Sequence, residues 1–336
     1  MQSKTIESSK ASTSRTGAEP QWEWPSNFRV YPSEEKWLES RRHSVGASEA
    51  YAVLSGEGAN EVWLAKTRPE DAPQVMTAMD ADVGHAMEPV LRKWFAIEKR
   101  AIVHDPGAHT VWYDPQCPRL TATPDFLVEM LEEEPPRGLL EVKSFSSFMR
   151  DPKRSPFSGW NDRPPYKYAA QCAAQMAATG LPFAWLYGME SNTYGREPGK
   201  STVAHRIERN ERFENILREA VTRFWDRYVQ TDTPPPAGPD PSAEKVLRIL
   251  FPKSEPEKRF FLPASFDRFV TRWDEIDEAT TALGDERDAI KREVMSLAGD
   301  AEVIEGENDG ERLWTYKTTK KGRQFRRSSG RKDGAA

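Results

Sequence analysis

The sequence predicts an α/β body followed by a helical, coiled-coil-like appendage, and three observations carry that reading. Helical apolar periods over 74–98, 164–180 and 210–229 are interspersed with strand-like runs at 109–114, 119–130, 138–145, 183–189 and 202–208. A Pro-rich segment, TDTPPPAGPDP at 231–241, can continue neither a helix nor a central strand and reads as a linker. Beyond it, apolar residues recur at steps of three and four from Phe266 to Leu297. A chain of 336 residues accommodates two domains, or one large domain with an appendage.

The elements follow in order. Residues 1–20 are rich in Ser, Thr and Lys without an apolar period, which predicts a disordered tail. The body spans 21–230, the linker 231–241, a helical segment 242–299, and short strands with a basic tail 300–336. In the first helix Val83, Ala86, Met87, Val90, Leu91 and Trp94 form one stripe, and Pro89 should begin or kink it. LEEEPPRG (131–138) has the length and turn residues of a hairpin loop. The helix over 164–180 has Pro165 near its start and Gly180 past its end. FAWLYGM then reads as a buried strand, 202–208 as an exposed strand and 210–229 as an amphipathic helix. In the appendage Phe266, Phe269, Trp273, Ile276, Leu283, Ile290, Val294 and Leu297 make a heptad seam, with Thr280 and Arg287 as imperfect positions and Gly284 weakening its centre. Both an antiparallel helical pair packed on the body and oligomerisation answer that pattern.

Composition narrows the function. No run of 18 apolar residues predicts a membrane span, and the N-terminus lacks the apolar core of a secretory signal. Cys117 and Cys172 are too few for a disulfide framework or a four-cysteine cluster, so a reduced, cytoplasmic protein is expected. A net charge of −5 does not advertise nucleic acid, yet the charge is uneven: Lys317 to Lys332 holds eight basic residues and no acid. Such a tail is either simply solvated or an arm for polyphosphate.

The chemistry concentrates in TATPDFLVEM and GLLEVKSF. In a strand, Glu141 and Lys143 share one face while Leu140 and Val142 take the other. A Glu and a Lys at the centre of a sheet need partners, and Asp125 on the preceding hairpin strand can supply a second carboxylate to that face. Two carboxylates, a carbonyl and water are the hard oxygen ligands that Mg²⁺ takes, and the lysine would orient or deprotonate an attacking water or neutralise phosphate charge. The bland alternative is a surface ion pair on an edge strand. No phosphate-cradling G-x-x-x-x-G-K-[ST] loop is present, and His85, His104 and His109 read as structural or surface residues.

Five segments in order, RRHSVGASEA (41–50), GHAME (84–88), TPD (123–125), LEVK (140–143) and YAAQ (168–171), resemble the phage lambda exonuclease and YqaJ-type viral recombinase family of PD-(D/E)XK nucleases. The resemblance covers about 40–230. It implies a restriction-endonuclease-like core with a central mixed sheet flanked by helices. It makes Asp125, Glu141 and the Val142 carbonyl Mg²⁺ ligands, for two ions with Mn²⁺ as substitute. Glu88 would reach a metal directly or through water, Lys143 would be the catalytic lysine, and Gln171 would position the nucleophilic water or Lys143. Arg41, or Arg42 one residue on, would bind a terminal 5′-phosphate with Ser48 and Thr123. Tyr168 and Gln175 share a helix face with Gln171, and Lys320, Lys321, Arg323, Arg326 and Arg327 are further candidates for DNA contact. Ser48 can also cap a helix start there.

The implied activity is a Mg²⁺-dependent exonuclease acting on double-stranded DNA ends, 5′ to 3′, leaving 3′ single strands. The implied partners are a single-strand annealing protein and further copies of the chain in a trimer. An endonuclease or structure-specific nuclease on the same site is the alternative, and a non-catalytic DNA-binding or scaffold module is the alternative of another class.

Overall fold

A computed structural model describes residues 24–72, 78–145, 163–190, 202–238, 240–306, 310 and 312–328. The predicted tail at 1–20 and the basic residues beyond Ser328 lie outside them. The chain divides after Lys253 into two compact units.

The first unit runs β1 (Phe28–Val30), α1 (Glu34–Arg41), β2 (Val45–Gly46), a 3-10 turn (Ala47–Glu49), α2 (Ala50–Ser55), α3 (Ala59–Thr67) and α4 (Ala78–Lys99). There follow β3 (Ala101–His104), β4 (Thr110–Tyr113), β5 (Leu120–Ala122), β6 (Phe126–Met130), β7 (Arg137–Phe145) and α5 (Tyr166–Thr179). Next come β8 (Phe183–Glu190), β9 (Thr202–Glu208), α6 (Glu211–Phe224) with a π turn (Trp225–Val229), and α7 (Pro241–Leu250). Two sheets result, one with order β3-β6-β7-β8-β9 and a smaller one with order β1-β4-β5-β2. Both are mixed, because β7 pairs parallel with β8 and β2 parallel with β5. A parallel pair needs a long crossover, and α5 lies within it.

That crossover places two cores on the two faces of β7. Leu140 and Val142 join Leu91 and Phe95 of α4 in one, together with Phe183, Trp185 and Tyr187 of β8. Leu139 joins Met176 of α5, Leu186 and Leu217 in the other. The odd-numbered residues of β7 therefore look toward α5.

Several expectations are corrected. The single run expected at 119–130 is two strands in different sheets: β5 ends at Ala122, and β6 begins at Phe126 opposite Leu140. Pro124 lacks the amide a ladder requires, and the break leaves Asp125 at the mouth of β6. Helix α4 does not begin at Pro89 but starts at Ala78 and contains it, with its ring exposed. Strand β9 is half-buried along most of its length rather than exposed. The helix expected to end at 229 changes to a π turn after Phe224.

The Pro-rich 231–241 is not the boundary. Asn60 donates to the Pro236 carbonyl at 3.4 Å, and Asp240 accepts from the Gly58 amide at 2.8 Å while capping α7. Val246 of α7 is fully buried with Leu64 and Leu217, so this stretch belongs to the body.

The second unit holds one 32-residue helix, α8 (Asp267–Ala298), and an antiparallel sheet of β10 (Val303–Glu305), β11 (Arg312–Thr319) and β12 (Gly322–Arg327). The helix is continuous through Gly284, none of its residues is buried, and it is the one α-helix of this unit among the described residues. No helix among the described residues is long and apolar enough to cross a membrane.

Gly138 of β7 is a glycine for a packing reason: a Cβ there would run into the buried Phe183 ring. Gly138→Ala is expected to lower unfolding stability by about 1–3 kcal/mol, the usual cost of overpacking, measured by urea denaturation.

Candidate active site

Glu141 is the deepest charged group of the site, with no solvent exposure. Burying a carboxylate requires hydrogen-bonding partners, and three converge on it. Gln171 Nε2 donates to Oε1 at 2.6 Å, Gln175 Nε2 donates to Oε2 at 2.6 Å, and Lys143 Nζ pairs with Oε1. Gln171 and Gln175 are one helical turn apart on α5, so the face that packs on β7 presents both amides to one side chain. The ammonium of Lys143 also lies 5.4 Å from the centre of the Tyr168 ring.

Asp125, just past the strand break, accepts from the Val142 amide through Oδ2 at 2.8 Å. In a strand the amide and carbonyl of one residue face the same side, and the β6 ladder reaches no further along β7 than the pair Phe126–Leu140. The Val142 carbonyl therefore points along the same edge as Asp125. Burial raises the Asp125 carboxyl well above the usual aspartate range, the nearby Glu141 charge adds to this, and Lys143 and the Val142 hydrogen bond oppose it. For Lys143 burial acts downward, but the charges of Glu141 and Asp125 outweigh it and hold the ammonium above its ordinary value. The buried Cys172 thiol of α5 is pushed well up by desolvation and then by Glu141.

One cleft of about 550 Å³ brings most of the expected residues together: Arg41, Ser48, Glu88, Thr123, Asp125, Glu141, Lys143, Gln171 and Gln175 all line it. Arg42 does not. It lines a separate groove with Glu39 and His43, because a residue one step on along a helix end turns about 100° away. Ser48 is not a cap either, since it sits inside the 3-10 turn; the cap position is Gly46, whose amide donates to Glu49 Oε2 at 2.8 Å. A Cβ on Gly46 would lie 3.7 Å from Arg41 Nη2 and 4.0 Å from Ser48 Oγ, so both donors gather around this glycine.

The supports of this turn were not expected from the sequence. Lys66 of α3, almost fully buried, pairs with Glu49 at 2.8 Å and donates to the Arg41 carbonyl at 2.9 Å. Desolvation lowers the Lys66 ammonium, and Glu49 resists the change. Ser44 and Thr121 form a buried hydroxyl pair at 3.0 Å that ties the start of β2 to β5. His85 and His109, read as structural or surface residues, line the cleft, and His85 Nδ1 lies 3.1 Å from Glu88 Oε1. The His85–Glu88 spacing of three on a helix was the one available signal. Lys320, Lys321, Arg323, Arg326 and Arg327 belong to the second unit.

The donor chemistry fits a hard divalent cation in part. Asp125 and Glu141 supply carboxylate oxygens, and the Val142 carbonyl faces the same edge. Glu88 is near enough for its charge to raise Asp125. Even so, no three His, Cys, Asp or Glu side chains gather closely enough to ligate one ion among the described residues. Carbonyl and water oxygens would have to complete a coordination shell, which is how Mg²⁺ is commonly held.

Residues 36–182 match the model of the YqaJ-like viral recombinase domain, and the named cleft residues lie within that stretch. The chain is 23% identical over 282 residues to the uncharacterized protein YqaJ of Bacillus subtilis (strain 168), with 80% of each covered. Among solved structures, it is similar to an alkaline exonuclease (LHK-Exo) from Laribacter hongkongensis, with a TM-score of 0.45, 21% identity, and 64% of this chain and 96% of that one covered. A phage related exonuclease from Haemophilus somnus 129PT gives 0.42 and 10%, covering 56% of this chain and 95% of that one.

The raised Asp125 carboxyl has a stability consequence. Its folded value lies above the unfolded one, about 3.9, so its contribution is present while it is protonated and is lost as pH rises from there through the folded value. At neutral pH in EDTA, Asp125→Asn is therefore expected to melt no lower than the wild type. Mg²⁺ should raise the wild-type Tm, by the equivalent of about 2.7 kcal/mol at a hundredfold excess over Kd, and leave the variant unmoved in calorimetry.

Proposed function

We propose that the protein is a divalent-metal-dependent DNA exonuclease that hydrolyses phosphodiester bonds at duplex ends. The observation that carries this is the placing of Asp125, Glu141 and Lys143 in the same cleft as Arg41, Ser48 and Thr123. The first three are the groups a phosphodiester hydrolase needs, and the last three are donors suited to a terminal phosphate. Asp125, Glu141 and the Val142 carbonyl would hold Mg²⁺ or Mn²⁺, with Glu88 reaching through water. When bound, such an ion supplies Lewis acidity and a water of lowered pKa.

The chain's own side chains do the rest. Gln171 and Gln175 lock the Glu141 carboxylate in one orientation. Lys143 sets a positive charge beside the phosphate that is cut. The Arg41 guanidinium, stacked over Trp37 at 5.2 Å, and the Ser48 and Thr123 hydroxyls receive the end of the strand. Digestion from the 5′ end, transfer of the 3′ single strand to an annealing protein, and a ring-shaped homo-oligomer belong to the same reading, and the likeness of the five sequence segments supports them.

The test uses linear duplex, nicked circle and closed circle, with 5′-phosphate or 5′-hydroxyl ends, in Mg²⁺. Loss confined to linear DNA, faster with 5′-phosphate and reduced by about 10²–10⁴-fold in Lys143→Ala, is the expected result. Cutting of closed circles would replace it with an endonuclease, and cleavage indifferent to Lys143 would overturn the site. In the same assay Arg41→Ala should lose about 10- to 100-fold of the preference for 5′-phosphate, the scale of a hydrogen bond to a charged group, whereas Arg42→Ala should keep it.

A further inference from the structure

The second unit carries a surface that the cleft chemistry does not use. Residues 312–328 contain seven Lys or Arg and no acid. They form the β11–β12 hairpin, in which Trp314 pairs with Arg327, Tyr316 with Phe325, and Thr318 with Arg323. Side chains two apart in a strand share a face, so Trp314, Tyr316, Phe325, Arg323 and Arg327 lie together on one side of the sheet. The ring centres of Trp314 and Tyr316 are 6.1 and 6.3 Å from that of Phe325. The Arg327 guanidinium is 4.6 Å from the Trp314 centre, and that of Arg323 is 3.7 Å from the Tyr316 centre.

Two features separate this face from an ordinary core. None of its residues is buried, although three aromatics on one sheet face are normally covered. The Arg323 guanidinium is also held flat by backbone, donating to the Gly299 carbonyl at 2.6 Å and the Ala301 carbonyl at 2.7 Å. Its plane is fixed beside the ring of Tyr316 before any ligand arrives. Lys320 and Lys321, in the turn between Thr319 and Gly322, add positive charge at the end of this platform, and no acid in the hairpin offsets it, whereas Lys317 and Arg326 pair with Gln324 and Thr315 on the opposite face.

We propose that this face binds single-stranded polynucleotide, its bases stacking on the aromatic rings and guanidinium planes and its phosphates meeting Lys320 and Lys321 of the adjoining turn. Stacking needs the open face of a base, which a paired duplex does not offer, and ring faces together with phosphate-facing cations are what sequence-tolerant single-strand binders use. The inference stands apart from the cleft and holds whether or not the cleft cuts DNA.

The experiment measures fluorescence anisotropy of labelled oligo-dT and oligo-rU of about 16 nucleotides, and of a duplex of equal length, with the full chain in EDTA so that no strand is degraded. Three proteins are compared: wild type, Trp314→Leu, and the exposed double variant Lys320→Gln/Lys321→Gln. Trp314→Leu should weaken single-strand binding by about 5- to 100-fold, the equivalent of one lost stacking contact, and leave the salt dependence alone. The double variant sits on exposed turn surface, and it should lower the slope of log K against log salt by about 1. The stronger of the two strands names the natural ligand, because the 2′-hydroxyl is the one difference between them. Single-strand binding that is unchanged in both variants, or duplex bound more tightly than either strand by all three proteins, would overturn the proposal.

Discussion

A single buried carboxylate organises the body of this protein. Leaving an ionised Glu141 without partners inside the fold would cost several kcal/mol. Its environment is therefore built around it: two glutamines one turn apart on α5 and a lysine two residues along its own strand. Those contacts require α5 to cross back over β7, and a parallel β7–β8 pair requires the same crossover. Sheet topology and site chemistry are thus one constraint seen from two sides. The apolar face of β7 does the complementary work, packing Leu140 and Val142 against α4, which also carries Glu88 to the cleft.

The second constraint is the break at Thr123–Asp125. Had β5 and β6 formed one strand, Asp125 would have been a ladder residue. Pro124 ends the first ladder, the chain passes to the other sheet, and Asp125 is left at an edge where its carboxylate takes the Val142 amide. Thr123 falls in the same short passage and reaches the same cleft. The small sheet then has its own part, because β2 and β5 bring the 41–49 turn, with Arg41 and Ser48, alongside.

Much of this could be read before any fold was known. Alternation in a strand placed Glu141 with Lys143, and helical spacing placed Gln171 with Gln175. What failed were interactions between residues remote in sequence. Nothing local marks Glu49 and Lys66 as a buried pair that shapes the turn beside Arg41 and Ser48, or Ser44 and Thr121 as hydroxyl partners 77 residues apart. The 231–241 segment has a linker's composition, yet Asp240 caps α7 and ties it to Gly58, so packing overrode composition. The heptad seam was legible as a helix. Its partner was not, because a periodic apolar stripe states that a face can be covered and leaves open by what.

The central claim is that the Glu141 charge, held by α5 and Lys143, is what makes the cleft a hydrolytic site. Single-turnover cleavage of 5′-phosphorylated linear duplex by Glu141→Gln, in saturating Mg²⁺, tests it most directly, because the substitution keeps the shape of the side chain and removes only the charge. The account predicts a loss of at least about 10²–10³-fold with an unchanged circular dichroism spectrum. Cleavage within a few-fold of the wild type would contradict it and move the chemistry elsewhere.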